Sequence, residues 1–169
     1  FTSAQVNDVI EAIEAHPGKQ FIAGEFRLIR DRRFFILTKT SNSASYHLVT
    51  PDCDLKVDAE KLFRFSLHSA EDISITADAK AAYINADSLT YPLTLRVWKQ
   101  GDYFYPFGMN RKKKKVKKLL TDLKVPLHEK ERVWVVECEQ KILWVCGIRS
   151  DERFRVTAST KKVLKRAMI

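Results

Sequence analysis

The chain has 169 residues, and a 45% hydrophobic content is enough for the core of one domain or of two small ones. No run of eighteen apolar residues occurs, which excludes a transmembrane helix. The formal charge of +9 is uneven, because residues 1–92 carry 10 Lys/Arg against 13 Asp/Glu and residues 93–169 carry 20 against 8. This clustering indicates that the second half meets an anion, the alternative being a basic surface that only keeps the protein in solution.

The first residues predict a capped helix. Thr2 and Gln5 have the spacing of a capping box, and Phe1 is placed to contact Val6. His16-Pro17-Gly18 should end the helix. Its expected apolar face consists of Val6, Val9, Ile10 and Ile13.

The rest of the first half predicts β-strands. Residues 21–38 alternate in two arms about Asp31-Arg32, which predicts a β-hairpin with Phe26 and Leu28 facing Phe34 and Ile36. Further strands are expected at 46–49, 62–67, 73–76 and 81–84. Between them, a polar loop is expected at 41–45 and an acidic stretch at 51–60. Asp52, Asp54 and Asp58 in that stretch lack the glycine and terminal glutamate of a calcium loop, so a solvated loop is the simpler interpretation.

The composition changes between Asp87 and Pro92, which predicts two domains, 1–90 and 91–169. In the second, residues 93–97 alternate as a strand, 126–132 predict a charged turn or one helical turn, and 163–168 are compatible with a strand or a helix. Two stretches that are apolar on both faces, 133–138 and 142–147, predict a buried hairpin. On its first arm, Trp134, Val136 and Cys138 should share one face.

The stretch from Arg96 to Pro126 is the most informative part of the sequence. Seven of the eight residues in 111–118, here called the lysine segment, are cationic. Val116, Leu119, Leu120 and Leu123 nevertheless have the spacing of one helix face, and the proline after Val125 should end the helix near Lys124. The sequence therefore predicts a helix held by its apolar face, with lysines exposed to a polyanion such as nucleic-acid phosphate.

Taken together, these patterns predict an α+β fold of two small domains. The first would hold the N-terminal helix with a β-hairpin and strands, and the second a mixed β-sheet packed with the basic helix.

Aromatic residues surround two turns at Gly101-Asp102 and Gly108-Met109. Side chains such as these can stack on unpaired bases, but packing into a small core is the expected role of most of them. They are Trp98, Tyr103, Phe104, Tyr105 and Phe107.

The arginines of this half have two interpretations. They either contact phosphate or form structural ion pairs with nearby carboxylates. The arginines are Arg96, Arg132, Arg149 and Arg153, and the candidate partners are Asp102, Glu129, Asp151 and Glu152.

Signatures of self-contained catalysis are missing from the sequence. The five glycines form neither a Walker loop nor a dinucleotide fingerprint, and the four histidines have no metalloprotease spacing. Cys53, Cys138 and Cys146 are odd in number and not spaced like a metal or redox motif, so we expect reduced thiols in a cytoplasmic protein. No signal peptide opens the chain. Because it starts at Phe1 without Met, we expect it to be a fragment of a longer protein, the alternative being removal of a tag.

The ordered pattern Arg96-x-Trp98-x-x-Gly101-Asp102-x-Phe104-x-Pro106-x-Gly108-Met109 resembles the signature that opens the C-terminal domain of bacterial tRNA(Ile)-lysidine synthetases. The resemblance continues through Asp122-x-Lys124-Val125-Pro126, Arg132 and Trp144-x-x-Gly147-x-Arg149-x-x-x-Arg153, and residues 1–38 are more weakly similar to the segment upstream. Two departures are a denser lysine run and Val135, where relatives often have proline.

The resemblance implies a role in lysidine synthesis, in which an ATP-dependent ligase attaches lysine to the wobble cytidine of a minor isoleucine tRNA. In that family ATP, with magnesium, and lysine bind an N-terminal PP-loop domain with a Ser-Gly-Gly-x-Asp-Ser signature, which this sequence lacks. We therefore expect no catalytic residue, cofactor or metal in this chain. Its expected partners are tRNA, held by the body and acceptor stem, and the PP-loop domain, and a homodimer is left open.

These inferences give a set of expected site residues. The predicted nucleic-acid contacts are Arg96, Arg111, Lys112, Lys113, Lys114, Lys115, Lys117, Lys118, Lys124, Arg132, Arg149 and Arg153. The predicted structural motif is Trp98, Gly101, Asp102, Pro106, Gly108, Pro126 and Gly147. Two other hypotheses are a basic protein-interaction or oligomerisation domain and a free-standing enzyme acting on a phosphorylated substrate.

Overall fold

The computed structural model describes residues 2–14, 16–39, 46–57, 61–75 and 81–168, and they form mostly β-sheet with few helices. The N-terminal elements are α1 (Ser3–Glu11), β1 (Gln20–Ala23), β2 (Phe26–Arg30) and β3 (Phe35–Lys39). The middle elements are β4 (Tyr46–Val49), β5 (Cys53–Lys56), β6 (Leu62–Ser69), β7 (Ala81–Asn85) and β8 (Leu93–Val97). The C-terminal elements are β9 (Tyr103–Phe104), β10 (Lys114–Lys115), α2 (Val116–Asp122), α3 (Leu127–Lys130), β11 (Trp134–Cys138), β12 (Lys141–Val145), β13 (Arg149–Ser150), a 3₁₀ turn (Glu152–Phe154) and β14 (Lys162–Met168). No helix of the described ranges is long and apolar enough to cross a membrane.

Helix α1 begins at the predicted capping box. The Gln5 amide donates to Thr2 Oγ1 at 3.3 Å and the Thr2 amide donates to Gln5 Oε1 at 2.9 Å, so each satisfies a helix-end group of the other. The expected apolar face is largely in solvent, since Val6, Ile10 and Ile13 are all exposed. Phe1 lies outside the described residues.

Strands β1, β2 and β3 form an antiparallel sheet, not the single hairpin predicted. The two-residue turn at Gly24-Glu25 separates two strands that the sequence analysis had merged into one arm. The predicted facing was also wrong, because Phe26 pairs with Lys39 and Leu28 with Leu37. The physical reason is the longer turn after β2, where the Asp31 amide donates to the Phe34 carbonyl oxygen at 2.9 Å and moves the start of β3 to Phe35.

Two larger sheets form the rest of the molecule. One has five strands in the order β13-β12-β11-β8-β4, and the other has four in the order β5-β6-β14-β7. All pairings of the described strands are antiparallel, so the expected mixed sheet was wrong. Each of the two sheets takes strands from both sides of residue 90, and the division expected there stays a prediction.

Strand β11 and strand β12 form the buried hairpin that the sequence predicted. Its turn residues, Glu139 and Gln140, both have positive φ, as a two-residue hairpin turn requires. A β-bulge near Glu137 changes the register of β12, so the consecutive residues Leu143 and Trp144 both reach the same core.

The hairpin separates two apolar cores. The main core lies between the two sheets and contains Trp134, Val136 and Cys138, the three residues predicted to share a face. The second core lies on the other face of the five-stranded sheet, where Val135, Ile142 and Val145 meet α2 and Phe104. This arrangement fixes α2 against a rigid sheet.

The structure confirms some of the remaining secondary-structure predictions and shows others to be wrong. Strands at 46–49, 62–67, 81–84 and 93–97, the single turn of helix after Pro126, and a strand at 163–168 are confirmed. Residues 73–75 form no strand, and the acidic stretch contains β5, which the sequence analysis missed. Residues 41–45, Asp58 and Thr76 lie outside the described residues.

Candidate nucleic-acid interface

The lysine segment has a different local structure from the one expected. Only Val116, Lys117 and Lys118 of it lie in α2, because Lys114 and Lys115 form the short strand β10. This strand pairs with β9, placing Lys114 opposite Phe104 and Lys115 opposite Tyr103. The expectation that the whole segment faces solvent from a helix was therefore wrong, and most of its cations lie on a turn and hairpin before the helix.

Helix α2 is anchored by burial. Val116 and Leu120 are fully buried and Leu119 is 5% exposed, which contributes roughly 1.5–3 kcal/mol for each large side chain. Leu123, the fourth residue of the predicted stripe, is 53% exposed because the helix ends at Asp122.

The C-terminus of α2 has the hydrogen bonds of a Schellman motif. The Val125 amide donates to the Leu120 carbonyl oxygen at 3.0 Å and the Lys124 amide donates to that of Thr121 at 2.9 Å. Lys124 therefore takes a left-handed conformation, with φ of 55°, at a position where glycine is usual. Its side chain is exposed.

One carboxylate partly neutralises the lysine segment. Lys114 Nζ lies 2.9 Å and Lys118 Nζ lies 3.0 Å from the carboxylate oxygens of Asp122. The hydrogen bond from Lys114, and to a lesser extent that from Lys118, lowers the pKa of Asp122 below its usual value. No other ion pair to this segment occurs within the described residues. The cations that keep their charge uncompensated are Arg111, Lys112, Lys113, Lys115 and Lys117.

Aromatic side chains adjoin these cations. Tyr103 and Phe107 are 42% and 50% exposed, and Tyr105 is half-buried with its ring edge-on to Tyr103 at 6.3 Å. Lys113 Nζ lies 3.7 Å from the centre of the Tyr103 ring, which is a cation–π contact. We call Tyr103, Tyr105 and Phe107 the aromatic patch. Phe104 is instead fully buried and Trp98 half-buried, as expected for core packing.

Arg96 lies in a buried group of charges. Its guanidinium donates to the two oxygens of Asp102 at 2.8 and 3.0 Å and to Glu137 Oε2 at 2.6 Å. Burial opposes the charged form of Arg96, but the hydrogen bonds to Asp102 and Glu137 outweigh it and raise its pKa. Since Asp102 also accepts the Lys99 amide at 2.8 Å, this ion cluster (Arg96, Asp102 and Glu137) locks the turn at Gly101 onto the sheet.

A second carboxylate pair holds the aromatic patch. Asp151 is 1% exposed and accepts the Tyr105 amide at 2.9 Å and the Arg153 guanidinium at 2.9 and 3.0 Å. Glu152 accepts the Gly108 amide at 2.8 Å. The Arg153 guanidinium also lies 4.4 Å from the Tyr105 ring centre, so the geometry of this arginine favours a structural ion pair.

The remaining predicted contact and motif residues lie in different environments. Arg149 is exposed and donates to the Phe107 carbonyl oxygen at 3.4 Å. Arg132 is also exposed, and its described hydrogen bonds involve only its backbone: the amide donates to the Glu129 carbonyl oxygen at 3.0 Å and the carbonyl oxygen accepts from Lys61 Nζ at 3.0 Å. The motif residues lie mainly in turns. Gly101, Gly108 and Gly147 have positive φ, Pro106 forms a bridge with Asp151, Pro126 caps α3, and the Trp98 indole donates to the Lys130 carbonyl oxygen.

The described residues contain no cluster of three or more side chains suited to a metal ion. In the acidic stretch, Asp54 forms an ion pair with Arg64 at 2.9 Å and Asp52 accepts the Leu67 amide at 2.8 Å. These two carboxylates therefore have structural partners.

Two functional partners escaped sequence reasoning. Asp122 follows Lys118 at i+4, a spacing that predicts a helix ion pair and could have identified it. Glu137 is 41 residues from Arg96, and only the register of β8 against β11 brings the two together.

Comparison with known proteins identifies relatives of two parts of the chain. The family model described as TilS substrate C-terminal domain matches residues 93–166, and that described as TilS substrate binding domain matches residues 1–40. Among similar proteins, the tRNA(Ile)-lysidine synthases of Bacteroides thetaiotaomicron and Parabacteroides distasonis are 35% and 36% identical to this chain over 97% of its length. The chain spans 36% and 37% of the length of these relatives.

A solved structure shares the fold. The crystal structure of TILS C-terminal domain superposes with a TM-score of 0.63, covering 73% of this chain and 96% of that chain at 18% identity.

Proposed function

The chain belongs to the tRNA(Ile)-lysidine synthase family, and from this membership we propose that it binds tRNA on behalf of a catalytic centre elsewhere. The proposed reaction is ATP-dependent attachment of lysine to the wobble cytidine of a minor isoleucine tRNA. ATP, magnesium and lysine would bind a PP-loop domain. In the proposed division of labour, residues 1–90 and 91–169 act as two small α+β domains, with basic helix α2 on the second.

The observation that carries the proposal is the group of uncompensated cations on the lysine segment. Its backbone is fixed by the burial of Val116, Leu119 and Leu120 and by the pairing of β9 with β10. Cations on a fixed backbone lose less conformational freedom on binding than those of a flexible tail. The surface is therefore suited to a polyanion with regularly spaced charges.

A-form RNA offers what this surface can contact. Its base edges are hidden in a deep, narrow major groove, so phosphates and 2′-hydroxyls are accessible to lysine side chains. The aromatic patch beside the cations can stack on an unpaired nucleotide at a stem end, since stacking is tolerant of base identity. We propose that the lysine segment contacts the backbone of the tRNA body and acceptor stem.

A tRNA-binding contact far from the reacting base has two physical effects. It raises the effective concentration of the wobble base at the catalytic centre and adds contacts that an anticodon alone cannot supply. Arg149 and Arg132, both exposed, would extend this surface, whereas Arg96 and Arg153 would hold it in shape.

The experiment replaces three of the exposed lysines of the lysine segment, Lys112, Lys115 and Lys117, by alanine. If each neutralises one phosphate, affinity for a minor isoleucine tRNA should fall about one hundredfold at 0.15 M salt. The matched control replaces Lys56, Lys141 and Lys161, which are also exposed, and makes the same charge change elsewhere. Equal losses in the two variants would contradict a localised interface.

The alternative is a basic protein-interaction or oligomerisation domain. It predicts that the lysine variant loses a protein partner or self-association rather than tRNA. Sedimentation of both variants at matched concentrations separates the two functions, because the tRNA proposal expects an unchanged oligomeric state.

A further inference from the structure

Among the buried side-chain atoms without a hydrogen-bond partner in the described structure are those of Arg166 and Tyr91, which pack against the main core. Arg166 on β14 is fully buried, and none of its three guanidinium nitrogens has a hydrogen-bond partner. The Tyr91 hydroxyl is likewise buried and unpaired. Because buried polar groups are nearly always hydrogen-bonded, these two need a physical explanation.

Apolar groups surround Arg166. In the four-stranded sheet it lies opposite Phe65 of β6 and Ala82 of β7. Its guanidinium carbon lies 4.5 Å from the centre of the Trp144 ring, which belongs to the opposing sheet. The ring face attracts the cation, but it does not supply conventional acceptors for the five N–H groups.

The charge of Arg166 is not neutralised by its described neighbours. Burial lowers the pKa of Arg166 to about 9, which still leaves the guanidinium protonated at neutral pH. The groups that act on it electrostatically are Cys146 and Tyr91. Burial raises the pKa of Cys146 to about 12 and also raises that of Tyr91, so both are uncharged at neutral pH.

These groups have a common chemical character. The guanidinium donates through five N–H groups, the Tyr91 hydroxyl can donate one hydrogen bond, and the Cys146 thiol is a weak donor. The Tyr91 oxygen and the Cys146 sulfur can also accept hydrogen bonds, but the Arg166 guanidinium makes none to either, and neither group carries the negative charge that would balance it. A singly charged ion would balance the guanidinium, whereas a doubly charged oxyanion would leave excess negative charge in an apolar core, which is costly.

We propose that the Arg166 guanidinium holds a small monovalent anion of halide size between the two sheets. The site is separate from the lysine segment, because it lies in the main core while α2 covers the opposite face of the five-stranded sheet. The anion supplies the acceptor and the negative charge that the buried guanidinium lacks. Its binding therefore contributes to stability and does not depend on the proposed tRNA function.

The test is thermal unfolding of the full chain in sodium bromide and in sodium gluconate at equal ionic strength. At a bromide concentration ten times its dissociation constant, Tm should rise by about 3–6 °C. The Arg166→Met variant should lose this bromide-specific rise. The variant without Lys112, Lys115 and Lys117 should keep it, because those lysines bind anions only at the surface.

Diffraction provides a second measurement that does not require the Arg166 variant to fold. Crystals of the unsubstituted chain grown in bromide should show an anomalous peak within about 3.5 Å of the Arg166 guanidinium, as expected for a hydrogen-bonded ion. Equal Tm values in bromide and gluconate would overturn the proposal. So would an anomalous map without a peak at Arg166, or electron density for water or a protein carboxylate in its place.

Discussion

The Arg96→Met substitution tests whether Arg96 has a structural role or contacts RNA, two interpretations that the sequence left open. The Arg96 side chain is 14% exposed, and its removal leaves Asp102 and Glu137, 8% and 18% exposed, without their shared counter-ion. Breaking a buried ion pair from one side costs about 3–5 kcal/mol, and the partial exposure favours the lower end. At about 2–4 °C per kcal/mol for a chain of this size, Tm should fall by roughly 6–12 °C.

The assay is urea unfolding together with tRNA binding at a temperature where the variant is folded. The matched control is Arg132→Met, which removes an exposed arginine and should change stability by less than about 0.5 kcal/mol. Adding Asp102→Asn and Glu137→Gln to Arg96→Met should recover part of the loss, because no uncompensated carboxylate then remains. Unchanged stability of Arg96→Met combined with a large loss of tRNA affinity would refute the structural assignment.

Three further substitutions test other parts of the interface. Asp122→Asn releases Lys114 and Lys118, so tRNA affinity should rise up to about tenfold at 0.1 M salt; an unchanged or lower affinity in filter binding would contradict the assigned neutralisation. Lys124→Gly relieves the left-handed strain after α2 and should stabilise the chain by about 0.5–1 kcal/mol in urea unfolding, whereas Lys130→Gly, within α3, should destabilise it; a loss at both positions would argue against the Schellman end. Phe107→Ala should weaken tRNA binding by about 1–3 kcal/mol without changing its salt dependence, while Phe34→Ala, which removes an even more exposed ring in the turn before β3, should have no effect; equal effects would exclude specific stacking.

Local patterns predicted the elements that depend on nearby residues. The capping box of Thr2 and Gln5, the hairpin of β11 and β12, and the buried side of α2 all follow from spacings of a few residues. Each is decided by hydrogen bonds or burial within one element or one tight turn. Such features are visible in a sequence because the interacting residues are close along the chain.

Long-range pairing was not predictable in the same way. Strand β14 pairs with β6 and β7, about 80 to 100 residues earlier, and no short pattern encodes which strand it joins. The same limit hid the contact of Arg96 with Glu137. The sequence analysis placed too many lysines on helix α2, because a high density of charge is compatible with either a strand or a helix. What makes Lys114 part of a strand is its pairing with Phe104.

The N-terminal helix illustrates a different limit. The apolar spacing of Val6, Val9 and Ile10 correctly predicted a helix, but the helix ends at Glu11, before Ile13 and the expected stop at His16-Pro17-Gly18. Periodicity also does not specify what covers the apolar face. In the described structure the covered residues of this region are Ala12, Phe21 and Ile29. The spacing of the apolar residues therefore predicted that this segment is a helix, but not which of its side chains are buried.

The salt dependence of tRNA binding tests the central claim most directly. If about five phosphates are neutralised by the uncompensated cations of the lysine segment, the logarithm of the binding constant should fall against the logarithm of salt concentration with a slope of roughly −4 to −5. A filter-binding titration of the unsubstituted chain between 50 and 200 mM salt, about the range over which such slopes are measured, gives this value. A steep slope supports phosphate contact, and a flat response would contradict the account.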